Sequence, residues 1–281
     1  MPTARSGMSS VVVENKIYCI GGRTSDGNTS GVIESYDVLK DCWNIESSLQ
    51  NKRAYAMSEV IDDKIYIIGG YDGNKTLKSV ECYDIKTKTV TTKADMPYKN
   101  GSKKSYINNG LIHVIGGFPN SEEGTSQIHA LQIYNPNTDA WSTKFTIPTT
   151  RWYVDSVLVD NKMFFFGGNY RLGAPYPGAR TFEYYDILRE TLTQKKDMSN
   201  YKTNLGCANI GDYIYLVGGV YDENISDIIK RYNYKNDTWK TFEMTMTEAR
   251  ADFVYEVVDN KIYCISGTNV NGLVATNEIL E

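Results

Sequence analysis

Short apolar runs recur along the chain, and each is closed by a pair of small residues. The six runs read KIYCI, KIYII, LIHVI, KMFFF, YIYLV and KIYCI, and they follow polar turns such as Glu14-Asn15. Their β-branched and aromatic content predicts a β strand for every run. The closing pairs are Gly21-Gly22, Gly69-Gly70, Gly116-Gly117, Gly167-Gly168, Gly218-Gly219 and Ser266-Gly267. Their steps of 48, 47, 51, 51 and 48 residues indicate a repeat architecture.

Three further positions keep register with these pairs. A tyrosine followed by Asp or Asn recurs at Tyr36-Asp37, Tyr83-Asp84, Tyr134-Asn135, Tyr185-Asp186 and Tyr232-Asn233. Seven residues after each tyrosine come Trp43, Val90, Trp141, Leu192 and Trp239. Sixteen residues before each pair lie Arg5, Arg53, Asn100, Arg151, Lys202 and Arg250. Each unit therefore offers four strand-length segments, which make one propeller blade, and the blades must stack to bury both faces of each sheet.

The double glycine after an apolar strand, then Tyr-Asp, then Trp, then Met-Pro with a basic residue, resembles the kelch repeat. The resemblance covers essentially the whole chain. It implies an all-β fold, a six-bladed kelch β-propeller with four-stranded antiparallel blades, formed by residues 1–281 as a single domain. Val90, Leu192, Asn100 and Ser266 depart from the pattern. We expect these departures to alter the packing of individual blades and not the architecture.

The ends of the chain fall inside the repeat pattern. The sixth repeat stops at Glu281, before the Trp-bearing strand. Met1-Pro2 precedes Arg5 by the spacing that separates Met96-Pro97 from Asn100. We therefore expect blade 6 to lack its outer strand. We also expect the chain to be excised from a longer protein, or its ring to be closed by sequence outside residues 1–281.

Composition argues against several classes of function. A net charge of −4 gives no basic footprint for nucleic acid, and no polybasic run suggests a membrane surface. No stretch reaches the roughly 18 apolar residues of a membrane helix, and no signal-peptide core is visible. The five cysteines are scattered and form no C-x-x-C pair, so they predict small buried side chains. A cytoplasmic location is favoured over an extracellular one.

Residues for catalysis are sparse. Of the two histidines, His113 occupies the strand position of Tyr18, Tyr66 and Tyr215, and we interpret it as a packing residue. Galactose-oxidase-like enzymes also use kelch-type blades, but their copper site needs several His and Tyr ligands with a Cys. The sequence shows no motif for a general acid–base pair, a phosphate-binding loop or a nucleophile elbow. The sequence therefore predicts no catalysis, no metal and no cofactor, with a sugar oxidase or isomerase as a distant alternative.

The resemblance also implies where a ligand would bind. In kelch adaptor proteins, residues after the double glycine and residues entering the next inner strand form the mouth of the channel. The matching ligand-binding positions are Arg23, Tyr71, Phe118 and Asn169 after the pairs, and Tyr55, Ser102, Tyr153, Asn204 and Asp252 before the strands. The irregular connection 169–180, with two prolines and two glycines, adds Arg171.

Aromatic rings with a few polar anchors suit peptide binding and sugar stacking equally. We expect a non-catalytic binding module for a protein or peptide segment at the channel mouth, as in kelch substrate adaptors of ubiquitin ligases. The alternative is a carbohydrate-binding propeller of a microbial or secreted protein, with a glycan as its partner. An adjoining BTB region would favour the first hypothesis, and a signal peptide the second. We expect no nucleic-acid or membrane partner and a monomeric domain.

Overall fold

The computed structural model describes residues 1–101, 105–115, 130–145, 154–167, 182–195, 198, 202–221 and 224–281. These residues belong to two compact units, one of residues 7–150 and one of residues 1–6 with 151–281. Both units consist of strands, turns and loops, and the described residues contain no helix. The described part of the chain accordingly holds no helix that could cross a membrane.

The unit of residues 7–150 contains three four-stranded antiparallel sheets, and the strand order in each sheet follows the chain. Its strands are β1 (Ser9–Val13), β2 (Lys16–Ile20), β3 (Val32–Asp37), β4 (Cys42–Ser48), β5 (Met57–Ile61), β6 (Lys64–Ile68), β7 (Val80–Asp84), β8 (Thr89–Lys93), β9 (Ser105–Asn108), β10 (Leu111–Ile115), β11 (Ala130–Asn135) and β12 (Ala140–Phe145). The sheets are β1-β2-β3-β4, β5-β6-β7-β8 and β9-β10-β11-β12.

The unit of residues 1–6 and 151–281 has the same plan. Its strands are β13 (Asp155–Val159), β14 (Lys162–Phe166), β15 (Phe182–Asp186), β16 (Thr191–Gln194), β17 (Lys202–Thr203), β18 (Gly206–Ile210), β19 (Tyr213–Val217), β20 (Val220–Tyr221), β21 (Asn224–Ile225), β22 (Ile228–Asn233), β23 (Thr238–Thr245), β24 (Val254–Val258), β25 (Lys261–Ile265), β26 (Thr268–Asn269), β27 (Gly272–Leu273) and β28 (Asn277–Leu280). The large sheets are β13-β14-β15-β16, β18-β19-β22-β23 and β24-β25-β28, beside the small sheets β17-β20-β21 and β26-β27.

The predicted fold class, an all-β six-bladed kelch β-propeller with four-stranded antiparallel blades, is confirmed. Every apolar run of the repeat is the second strand of its sheet, namely β2, β6, β10, β14, β19 and β25. The sixth blade holds three strands, β24, β25 and β28, as the repeat pattern predicts. Met1 donates a hydrogen bond from its amino group to the carbonyl of Ala275 at 2.9 Å, but residues 1–5 form no strand.

The hydrophobic core lies between neighbouring blades. In one cluster, Tyr18 and Ile20 of β2 pack with Ile65 and Ile67 of β6 and with Tyr83 of β7, and all five are buried. The ring centroids of Tyr18 and Tyr83 are 6.4 Å apart. Similar clusters form between other adjacent blades within each unit. The repeated tyrosines therefore fill the space between blades, as the sequence predicts.

Close backbone contact explains the double glycine. Gly21 has a φ of 65°, and a Cβ placed on it would lie 2.2 Å from the carbonyl oxygen of Arg53. The N–H of Gly22 donates to the same carbonyl at 2.8 Å, so the pair joins one blade to the start of the next. Ser266 stands in the position of the first glycine with a φ of 57°. Its hydroxyl accepts a hydrogen bond from the N–H of Arg5 at 3.0 Å, so the side chain itself joins this contact.

The basic residue before each inner strand is a buried hydrogen-bonding centre. Arg53 is 1% exposed, and its Nη1 donates to the carbonyls of Gly69 at 2.9 Å and Ser79 at 3.0 Å. Its Nη2 forms an ion pair with Glu81, and neither side chain is accessible to solvent. Arg250 is equally buried and donates to the corresponding carbonyls of its own blade. The guanidinium group therefore holds together the two ends of the connection between the second and third strands of its blade in both units.

His113 lies on β10, is buried, and stacks on Tyr106 with ring centroids 4.7 Å apart. Burial, and after it the charge of Lys144, lowers the pKa of His113 from 6.5 to about 4. Because the native state keeps this ring neutral, the unfolded chain binds the extra proton between these two pH values.

We expect the protein to lose about 2 kcal/mol of stability between about pH 8 and pH 5 through His113 alone. The contribution is complete above the unfolded pKa of 6.5, and it disappears as the pH falls towards 4. Urea unfolding of the wild type and of His113→Phe at both pH values measures it. The phenylalanine variant, which keeps a ring but cannot titrate, should show a correspondingly weaker dependence on pH. An equal dependence in both proteins would contradict the assignment.

Candidate functional site

Two loops of a blade meet beside the double glycine in part of the described chain. In three blades, the residue after the pair forms an antiparallel bridge with the residue after the basic position. These bridges join Ala54 to Tyr71, Thr203 to Val220 and Ala251 to Thr268. The two predicted sets of ligand-binding positions are therefore adjacent in these blades.

The positions two residues after the basic residue share an unusual backbone conformation with a positive φ. Gly7, Tyr55, Asn204 and Asp252 all have φ values between 53° and 62°. Glycine, asparagine and aspartate adopt this region readily, whereas a tyrosine in it must be held there by its surroundings. The N–H of Tyr55 donates to the carbonyl of Gly7 at 2.7 Å, and that of Asp252 donates to Asn204 at 3.2 Å. This bond connects the same position of two successive blades and brings the two residues together.

Arg23 contacts two of the predicted tyrosines. Its Cζ lies over the ring of Tyr71, 5.3 Å from the centroid, and over the ring of Tyr55 at 5.5 Å. These distances are within the range of cation–π attraction, and all three side chains are half-buried. The hydroxyl of Tyr71 donates to the carbonyl of Gly73 at 2.9 Å, which fixes the ring to its own loop. We call Arg23, Tyr55 and Tyr71 the Arg23 cluster.

The guanidinium of Arg23 keeps unused hydrogen-bonding capacity. Its Nε is buried and has no hydrogen-bond partner among the residues that the structure describes. A buried N–H donor without an acceptor is unfavourable, so this position of the guanidinium is held by its other contacts.

Turn hydrogen bonds hold the loops that carry the Arg23 cluster. The Asp72 Oδ1 atom accepts the backbone N–H groups of Asn74 and Lys75, each at 2.8 Å. Burial opposes ionisation of Asp72, but the donors from Lys75 and Asn74 outweigh it and hold the pKa of Asp72 below its usual value. The Thr29 hydroxyl donates to the carbonyl of Asp72 at 2.9 Å and joins the loops of the first two blades. The loops that carry the Arg23 cluster are therefore held by fixed turns.

In the other unit, the side chains of Asn204 and Asp252 are paired. The Nδ2 of Asn204 donates to the Oδ2 of Asp252 at 3.2 Å. The remaining predicted site residues lie outside the described residues, namely Ser102, Phe118, Tyr153, Asn169 and Arg171. Across the described ranges, no three side chains of His, Cys, Asp or Glu converge in a way that could hold a metal ion.

Sequence reasoning missed how Gly7 and Thr29 shape the loops around the Arg23 cluster. A Cβ at Gly7 would lie 2.6 Å from the Cε1 of Tyr55, so the tyrosine ring occupies the space that a side chain would need. The available signal was a glycine at a position where other repeats carry Tyr, Ser, Asn or Asp. The contact of Thr29 with Asp72 leaves no comparable mark, because both residues are ordinary in turns.

Repeated four-stranded antiparallel sheets, joined blade to blade through a double glycine, define a β-propeller of the repeat type. Residues 1–168, more than half of the chain, match the domain described as KLHDC2/KLHL20/DRC7 Kelch-repeats domain. Residues 202–242 match the Kelch motif. The chain belongs to the kelch-repeat family.

Curated relatives are similar over most of the chain. Kelch-like protein 25 of Xenopus tropicalis is 22% identical over 86% of this chain and 41% of its own length. Beta-scruin of Limulus polyphemus is 22% identical over 79% of this chain and 25% of its own length. The chain thus spans less than half of these relatives. The solved structure of YjhT aligns with a TM-score of 0.84 at 16% identity, covering 99% of this chain and 95% of YjhT, and this likeness concerns the fold.

Proposed function

We propose that this chain is a non-catalytic binding module for a protein or peptide segment, and that the Arg23 cluster belongs to its binding surface at the mouth of the propeller channel. The observation that carries the proposal is the placement of two half-buried tyrosine rings around one guanidinium group at the ends of the inner strands.

Side-chain chemistry supports this proposal. Tyrosine and arginine dominate the energetic centres of protein interfaces, because they combine a large flat surface with directed hydrogen bonds. Arg23 is half-buried, so part of its cationic side chain stays accessible to the oxygen atoms that a peptide would supply. The hydrogen bond of Tyr71 to Gly73 and the turn around Asp72 reduce the ordering that binding would require.

Family membership supports the same class of function. Kelch-like protein 25 and beta-scruin share the repeat with this chain across most of its length. Their similarity favours an interaction propeller over an enzyme. The remaining predicted residues, Ser102, Phe118, Tyr153, Asn169, Arg171, Asn204 and Asp252, stay predictions of the same surface.

We expect the double variant Tyr55→Ala, Tyr71→Ala to weaken ligand binding about thirtyfold or more, equivalent to about 2 kcal/mol, because it removes both aromatic contacts. The ligand comes first from peptide and glycan arrays probed with the wild-type chain. Titration calorimetry of the best peptide then measures the loss.

Tyr213→Ala provides the matched control for this experiment. Its ring also contacts an arginine, with the Cζ of Arg231 at 4.7 Å, but it lies at the turn end of β19, away from the double glycine of its blade. The control should retain wild-type affinity. Equal binding by the double variant and the wild type would refute the site, and binding of glycans without peptides would refute the ligand class.

A further inference from the structure

Gly7 and Tyr55 are in unusually close contact across two neighbouring blades. A Cβ on Gly7 would lie 2.6 Å from Cε1, and 3.0 Å from both Cδ1 and Cζ, of the Tyr55 ring. Carbon atoms in ordinary contact are about 3.5–4.0 Å apart. The tyrosine ring therefore lies where any side chain on Gly7 would begin.

The backbone of Tyr55 cannot move away from this contact without losing other bonds. Its N–H donates to the Gly7 carbonyl at 2.7 Å, and its φ is held at 54°. The preceding residue, Ala54, is bridged to Tyr71 in both directions, by hydrogen bonds of 2.8 and 2.9 Å. A side chain on Gly7 would consequently be accommodated by rotation of the Tyr55 ring.

Rotation of this ring would alter the Arg23 cluster. The Cζ of Arg23 lies 5.5 Å from the Tyr55 centroid, near the roughly 6 Å limit of cation–π attraction. A displacement of about 1 Å away from Arg23 would thus end the contact.

The corresponding pair in the other unit uses a different arrangement. Asn204 replaces the glycine and Asp252 replaces the tyrosine, with the same backbone bond between them. There the first side chain holds the second through the hydrogen bond from Nδ2 to Oδ2 at 3.2 Å. The residue at this position of one blade therefore determines how the next blade presents its own side chain.

We propose that Gly7 is a positioning residue of the binding surface: its missing side chain lets the Tyr55 ring lie across it and reach Arg23. The ligand then meets two rings and a guanidinium as one continuous surface. The consequence for the ligand rests on the proposed function, whereas the placement of the ring is tested without any ligand.

The test follows the Nε proton of Arg23 in a proton–nitrogen correlation spectrum of the full chain. Arg23→Lys identifies the signal by removing it. Because Cζ lies over two aromatic rings, the wild-type proton should resonate upfield of ordinary arginine Nε protons. Gly7→Ala should shift it downfield, in the direction produced by Tyr55→Ala.

Gly27→Ala is the matched control. Gly27 also has a positive φ, of 80°, but nothing lies within 4 Å of a Cβ placed on it. It therefore introduces the backbone strain of alanine in this region without a clash, and the Arg23 signal should keep its wild-type position.

The double variant Gly7→Ala, Tyr55→Ala separates ring displacement from backbone damage. With the ring absent, it should fold and give the Arg23 signal of Tyr55→Ala alone, even if Gly7→Ala by itself unfolds. An unfolded double variant, or a Gly7→Ala signal at the wild-type position while Tyr55→Ala shifts it, would overturn the proposal.

For the peptide with the strongest array signal, Gly7→Ala should weaken binding about tenfold while Gly27→Ala has no effect. Unchanged binding by Gly7→Ala would refute its role in recognition. If the Arg23 signal behaves as expected and no ligand is found, the proposed function fails while the placement of the ring stands.

Discussion

Arg53→Met is expected to reduce the free energy of unfolding by about 3–5 kcal/mol, because it leaves the Glu81 carboxylate buried without its cation. Both side chains are inaccessible to solvent in the native protein. Glu81 also accepts the N–H groups of Gln50 at 2.7 Å and Asn51 at 3.0 Å. These hydrogen bonds hold the carboxylate in place, so it cannot turn towards water when the guanidinium is removed.

The same variant also removes one hydrogen-bond donor from each of two carbonyl groups. The Nη1 of Arg53 donates to the carbonyls of Gly69 and Ser79, which flank the connection between β6 and β7. The Ser79 carbonyl still accepts the N–H of Gly69 at 3.0 Å, so the lost donor matters mainly at Gly69 and adds about 1 kcal/mol to the loss. Equilibrium urea unfolding, followed by tyrosine fluorescence and circular dichroism, measures the total loss in the free energy of unfolding.

A surface ion pair supplies the control for Arg53→Met. Lys78 lies 3.4 Å from Asp95, and both side chains are about half exposed. Lys78→Met should change stability by less than about 1 kcal/mol. The double variant Arg53→Met, Glu81→Leu should lose less than the two single variants added together, since it leaves no unpaired charge. A loss below about 1 kcal/mol in Arg53→Met would show that the pair does not support the blade.

The basic position was visible in the sequence, but its acidic partner was not. A residue that recurs sixteen positions before each glycine pair is found by aligning the repeats. Two residues before each repeated tyrosine stand Glu34, Glu81, Gln132, Glu183 and Lys230. Asn100 and Gln132 are both buried, so the third blade has neutral residues at both positions. Comparing the basic position with the position two residues before the tyrosine would have predicted the ion pair. Each position taken alone suggests only a solvated charge.

The fold was predictable because the same pattern of strand and turn residues occurs in every repeat. Val90 replaces the expected tryptophan and still pairs in register with Tyr83, and it packs against the core cluster of the first two blades. An aliphatic side chain fills this space sufficiently, so the departure changes local packing and leaves the sheet intact. Repetition thus makes architecture robust to single substitutions.

The positions of the Arg23 cluster were predictable from the sequence, whereas the arrangement of its side chains was not. The register of the glycine pair locates Arg23 and Tyr71, and the register of the basic residue locates Tyr55. Their mutual contact depends on loop geometry and on the missing side chain of Gly7, which has no periodic signature. Contacts between successive blades join residues about 48 positions apart, such as Gly7 and Tyr55. Such pairs become visible only when the blades are placed side by side.

Trp141→Ala should destabilise the protein by about 3 kcal/mol, the lower end of the range for an aromatic ring removed from a core, because the indole is half-buried. Trp141 lies opposite Tyr134 in the register of β11 and β12, with ring centroids 5.0 Å apart. It packs against the cluster that contains Ile112 and Val114. Its Nε1 donates to the carbonyl of Ala94 in the preceding blade at 2.9 Å, so the ring both fills space and ties two blades together.

Trp141→Phe separates these two roles. The phenyl ring retains most of the packing against Tyr134 but cannot donate to Ala94, so it should lose about 1 kcal/mol, the value of one hydrogen bond. Thermal unfolding and urea titration of both variants give the comparison. If Trp141→Ala keeps the wild-type midpoint, the indole contributes nothing to the interface between blades. If both variants lose equally, the hydrogen bond outweighs the packing. We expect Trp141→Ala to be far less stable than Trp141→Phe, because the ring acts mainly by filling the space between two sheets.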